Sequence, residues 1–218
     1  MTIISAKRRR GRPAQSEQPA LNDDACLDAA LAAFAERGFE GASIREIAAA
    51  CGVSHGLLSV RFGSKQALWE SAVEHGMGRL HNRMVERQAR MPDSVGIEER
   101  FRAACVDFLE SVAAFPAIIQ LMNVEGACPG ERLNYIVATF FRARSWPIAT
   151  LLEEGQAKGV FRPVHVTIPF TLLAHGAGAL IALRPLVEAV DVRFSNRPEA
   201  IARTIAESVD LIVRGLKA

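Results

Sequence analysis

The sequence is poor in cysteine, in tyrosine and in aromatic residues generally: four Cys, one Tyr and an aromatic share of 6% in 218 residues. Cys26, Cys51, Cys105 and Cys128 never fall into a Cys-x-x-Cys spacing. That excludes a zinc ribbon, argues against a disulfide scaffold, and fits a reducing, cytoplasmic setting. No apolar run follows the basic, polar N-terminus, so no secretory leader is expected. The one long uncharged stretch, 21 residues between Arg162 and Arg184, approaches the length of a bilayer span. It contains Pro163, His165, Thr167, Pro169 and His175, and its clean apolar part, Ile168–Leu183, has only 16 residues. A buried helix explains it better, and no membrane partner is expected. Catalytic groupings are missing as well: no Ser/His/Asp set, no His-Glu-x-x-His, no Gly-rich phosphate loop. Glu98-Glu99 and Glu153-Glu154 read as solvated helix faces, and the five His show no metal-ligand spacing. No enzymatic activity, metal or cofactor is expected.

What is present is alanine in abundance and 50% hydrophobic residues, a composition that favours helices over sheet. The chain is long enough to bury a core without covalent staples. Its net charge of +2 is unevenly spread. Residues 1–20 carry five cations against one acid, concentrated in Lys7-Arg8-Arg9-Arg10-Gly11-Arg12-Pro13. This arm lacks apolar periodicity and is expected to be disordered.

Local signals divide the remainder into helices. Asn22 or Asp23 can cap a first helix carrying Leu27, Ala30, Leu31 and Phe34 on one face. Gly38 supplies a left-handed stop, with Phe39 packing back. Ser43-Ile44-Arg45-Glu46 has the form of a capping box opening a second, short helix, which Gly52 ends. Ser54 can cap a third helix over His55–Phe62, and Gly63-Ser64 opens a fourth running towards Met91-Pro92. Further helices are expected over Ile97–Ala114, Pro116–Asn123, Glu131–Lys158, Thr167–Ala189 and Pro198–Leu216, the last with Asn196 as cap. Trp146-Pro147 should kink or split its helix. Val160–Val166 is the least certain segment. The fold class is all-α: an N-terminal helix-turn-helix domain of three helices and a C-terminal helical domain for ligand binding and dimerisation. The expected boundaries are 1–20, 21–68 and 69–218.

Two short helices joined at Ala-Cys-Gly-Val are a helix-turn-helix signature. The residues around them, Ala30–Phe39, Gly41, Ser43, Ile47-Ala48, Gly52-Val53-Ser54, Gly56, Phe62, Ser64-Lys65 and Ala67-Leu68, resemble the DNA-binding signature of the tetracycline-repressor (TetR) family of bacterial regulators. The resemblance covers residues 21–70; beyond them only length, helicity and architecture agree. It implies contacts to bases and phosphates from Ser54, His55, Gly56, Leu58, Ser59 and Arg61, with Ser43, Arg45 and Lys65 as flanking clamps. Read on periodicity alone, Leu57 or Leu58, Val60 and Phe62 belong to the core instead. The family usually carries a Tyr where this chain has Ser59, and often His or Tyr where it has Arg61, which implies an altered operator. Arg10-Gly11-Arg12-Pro13 resembles the core of minor-groove AT-hooks, so Arg8, Arg9, Arg10 and Arg12 are candidate DNA contacts.

One such reading unit contacts too few base pairs for useful specificity, so a homodimer on a two-fold DNA operator is expected. Thr171–Leu180, mixing bulk with small residues, and the stripe Ile201, Ile205, Val209 and Ile212 resemble the family's dimer seam. Phe115, Met122, Asn123, Tyr135, Arg142, Trp146 and His175 are candidates for an effector pocket, His175 reading equally as a bonded interface histidine. The resemblance implies a repressor released from its operator when a small-molecule effector shifts the dimer geometry. The alternatives are an architectural binder of A·T-rich DNA and a ligand-controlled activator.

Overall fold

The computed structural model describes residues 22–218; the arm, with Arg8, Arg9, Arg10 and Arg12, lies outside the described residues. Helix α1 (Asp23–Gly41) opens where Asn22 Oδ1 accepts the Ala25 N–H at 3.2 Å, with Asp23 and Asp24 on the positive end of its dipole. Gly38, at φ 69°, kinks the helix rather than ending it. One further turn follows, closed by the Ala42 N–H on Gly38 O, and Phe39 folds back to stack on Phe34 at 5.9 Å. Helices α2 (Ile44–Ala50), α3 (His55–Phe62) and α4 (Lys65–Arg90) follow. Ser43 occupies the α2 cap position but makes no capping hydrogen bond. The expected capping box does not form, because Glu46 pairs instead with Arg37 of α1.

Helix α4 is unbroken over 26 residues, so the expected boundary at 68/69 falls inside it. Helix α1 packs on both α4 and α6 (Ala117–Gly126). Helix α5 (Ile97–Ala114) is the centre of the larger bundle, touching α4, α6 and the helices that follow. It places Phe101, Ala104, Cys105, Leu109 and Val112 out of water entirely, and burial pushes the Cys105 thiol well above its ordinary value. Phe115-Pro116 turns the chain by 96° into α6.

The helix expected over Glu131–Lys158 is broken. Helix α7 (Glu131–Ile136) widens into π-helical turns over Val137–Arg142, the chain leaves helical geometry, and α8 (Pro147–Ala157) restarts with Pro147 in its first turn, where its missing N–H costs nothing. Val160–Val166 is not helical. Phe161 forms an isolated bridge with Lys217, and the Arg162 N–H donates to Leu216 O at 2.8 Å. Helix α9 (Thr167–Ala182) contains π-helical turns over Leu172–Ala177. It ends earlier than expected because Pro185 forces a new start, giving α10 (Arg184–Val190) at 75° to it. Helix α11 (Pro198–Leu216) has the expected bounds, but Arg197, not Asn196, takes the cap position. No single helix among the described residues is long and apolar enough to cross a membrane.

Candidate nucleic-acid interface and effector cleft

The turn between α2 and α3 is a Schellman closure. The Gly52 N–H donates to Ala49 O and the Val53 N–H to Ala48 O, both near 3.1 Å or shorter, while Gly52 takes φ 69°. That left-handed backbone suits a residue without Cβ. Val53 then packs on the core and aims the chain into α3. Ser54 caps that helix, its Oγ accepting the Leu57 N–H at 3.2 Å. Of the eight residues of α3, Leu58 alone is fully buried, with Phe62 one turn on packed at the core edge.

Leu58, expected among the DNA contacts, is therefore core and has no surface to offer. Val60, expected in the core, is 86% exposed. The reason is angular: with Leu58 and Phe62 turned inward at i and i+4, position 60 faces out. Ser54, His55 and Gly56 are exposed at the helix start, Ser59 is half-buried, and Arg45 is exposed on α2. Ser43 is half-buried. Both cations beside α3 are engaged. Arg61 Nε donates to both Asp23 carboxylate oxygens, at 3.0 and 3.1 Å, and this contact raises the Arg61 pKa further. Lys65 Nζ donates to Glu40 O at 3.1 Å and lies over the Phe39 ring.

The effector candidates divide into separate groups. Met122, Trp146 and His175 line one void of about 40 Å3 together with Phe141 and Phe170, and His175 Nδ1 donates to Asn123 Oδ1 at 2.6 Å. Trp146, fixed by donating to Phe140 O at 2.7 Å, also borders an open cleft of about 440 Å3 between the start of α8 and α9. Phe115 lines a different void, under the Arg79 guanidinium. Tyr135 packs edge-on to Trp69 and Phe140, where burial pushes its phenol up. Arg142 is exposed. Phe115, at the end of α5, Tyr135, in α7 ahead of the π-helical turns, and Arg142, at the end of those turns, border neither the Trp146 void nor the cleft. The sequence reading missed Phe141, Phe170 and Arg144, which line the cleft; as scattered residues on three elements they carry no local signal.

The apolar stripe of α11 also needs correction. Ile205 and Val209 are core. Ile212 of the same stripe lines, with Leu211 and Gly215, a groove of about 360 Å3 facing Ile168, Leu172 and Gly176 of α9.

Residues 27–72 match the sequence profile described as bacterial regulatory proteins, tetR family. The match runs from α1 through α2 and α3 into the first part of α4. Over 89 residues the chain is 39% identical to an HTH-type transcriptional repressor of Mycobacterium tuberculosis (strain ATCC 25618 / H37Rv), covering 41% of this chain and 45% of that protein. The match thus spans less than half the length of that relative. With the HTH-type transcriptional repressor KstR2 of Rhodococcus jostii (strain RHA1), identity is 29% over 150 residues, 67% of this chain and 72% of the relative. Over most of its length the fold is similar to the crystal structure of AibR in complex with isovaleryl coenzyme A and operator DNA. The TM-score is 0.61 at 22% identity, covering 89% of this chain and 97% of that one.

Proposed function

We propose that this chain is a homodimeric transcriptional repressor that reads a two-fold DNA operator through α3 and leaves it when a small molecule binds in the helical body. The observation that carries this reading is α3 itself, a capped helix anchored by Leu58, with Ser54, His55, Gly56 and Val60 turned to solvent. Seated in a major groove, its N-terminal amides would meet phosphate, while His55, Ser59 and Arg61 would reach base edges or backbone. Val60 would suit a thymine methyl. Ser43, Arg45 and Lys65 would clamp the flanking phosphates, and Arg8, Arg9, Arg10 and Arg12 would enter the adjacent minor groove.

The dimer would form on the groove between α9 and α11, where Leu172 and Leu211 are 58% and 75% exposed, an apolar surface that a monomer leaves in water. In this reading residues 1–20 are an accessory arm, 21–68 the reading head and 69–218 the regulatory body. Relatives named as repressors, and a fold shared with a protein captured with both a ligand and operator DNA, support the same assignment.

Selection of bound duplexes from a random pool tests it. A two-fold motif with half-sites about 34–36 Å apart is expected; enrichment of A·T tracts without symmetry would favour an architectural binder, and no enrichment would reject both. Deleting residues 1–13 is expected to flatten the salt dependence of operator binding by up to roughly 4 units, and an unchanged slope would remove the arm from the mechanism.

A further inference from the structure

Arg144 stands between two hollows. One is the cleft of about 440 Å3 walled by Phe141, Trp146 and Phe170; the other is a polar hollow against α4 that holds Glu74. The side chain is only 27% exposed, and its one hydrogen bond among the described residues is long, Nη2 to Glu74 Oε1 at 3.4 Å. One face lies over the Phe140 ring. A guanidinium carries five N–H donors in a rigid fork, and only one of these has a hydrogen-bond acceptor among the described residues.

The cleft walls offer the opposite chemistry. Phe141 is 37% exposed with no covering element, stacked on Trp146 and edge-on to Phe170. The cleft volume lies within the range of small-molecule sites. Glu153, also on the rim, is exposed, so water screens its repulsion of a carboxylate held at Arg144.

We propose that the cleft binds an amphipathic monocarboxylate. Its flat or branched apolar body lies among Phe141, Trp146 and Phe170, and its carboxylate takes Arg144 away from Glu74. The proposal rests on the effector-release reading above and names the effector class. The Arg144–Glu74 contact ties the turn before α8 to α4, and α4 starts two residues after α3. Exchange of Glu74 for the ligand therefore loosens the support of the reading helix, with no contact between ligand and DNA.

Calorimetric titration of the full chain with 2-naphthoate, its methyl ester and 2-naphthylmethylammonium tests the proposal. The carboxylate is expected to bind at least about tenfold more tightly than the ester, the difference made by a charge-assisted hydrogen bond. Arg144→Gln should erase that difference. Glu74→Gln, which removes the ligand's competitor, should tighten naphthoate binding, an effect structural damage would not produce. The proposal is overturned if the ester or the ammonium compound binds as well as naphthoate, if none of the three binds, or if Glu74→Gln weakens binding. The same preparations are tested without ligand for selection of two-fold DNA. Failure there removes the repressor reading, whereas intact DNA selection with no preference for the carboxylate removes this proposal alone.

Discussion

Asp23 holds Arg61 against the base of α1, so in the free protein the cation nearest the tip of the reading helix is already committed. In the proposed function, a DNA contact by Arg61 competes with that carboxylate. Asp23→Asn is therefore expected to raise affinity for duplex of any sequence and to steepen the salt slope by about one unit, as one additional cation reaches phosphate; fluorescence anisotropy at several salt concentrations measures both. At the neighbouring position, Val60→Ser is expected to relax preference at a single base pair while leaving the salt slope unchanged. These residues also mark what was readable from the chain alone. Asn22, Ser54, Ser64 and Gly52 act as expected because each bonds backbone within a few residues of itself. Ser43 and Glu46 do not, since Arg37, nine residues away, wins the carboxylate. The contradiction over Leu58 and Val60 was resolvable in principle: a helix with only one buried face cannot turn positions 58, 60 and 62 inward together.

At the scale of elements, two joints carry the body. Gly155 of α8 faces the Phe161 ring so closely that an added Cβ would overlap it, and Phe161 is itself tied to the end of the chain through its bridge with Lys217. Gly155→Ala is expected to cost about 1–3 kcal/mol, the range for overpacking, visible as a lower urea midpoint. The joint of α4 with α5 rests on Asp107, almost fully buried, with Arg87 Nη1 at 3.0 Å and Arg83 Nε at 3.7 Å. Desolvation outweighs both guanidiniums and raises the carboxyl's pKa. An acid whose folded-state pKa is raised keeps its proton longer folded than unfolded. Stability from this group therefore falls as pH climbs from the ordinary carboxylate value through the raised one. Asp107→Asn is expected to flatten that part of the stability curve in thermal melts across pH. Helices such as α5, bounded by Gly96 and by Phe115-Pro116, were legible with their limits; α7 was not, because widening into π-helical turns depends on what packs against the helix rather than on its own composition.

For the whole molecule, the proposed dimer rests on the uncovered apolar groove between α9 and α11. Leu172→Glu with Leu211→Glu places charge at its centre without touching the core, so helicity by circular dichroism should persist. Sedimentation should then report a monomer, and operator affinity should fall to the level of non-specific binding. Dimer with intact affinity would disprove the assignment of this face. Amphipathicity shows that α11 has an apolar side, but not which apolar residues a second layer of the same chain has already covered, as it has Ile205 and Val209. Helix α4, finally, runs without interruption from the doorstep of the reading head past Glu74. Glu74 lies nine residues from Lys65, about 14 Å along the axis at the ordinary helical rise, so a tilt of about 5° pivoting there swings the far end by roughly 1 Å. In the proposed repressor, a rigid lever of that length would make small adjustments in the body felt as misalignment where atomic fit has to be close, with no break in the helix to absorb them.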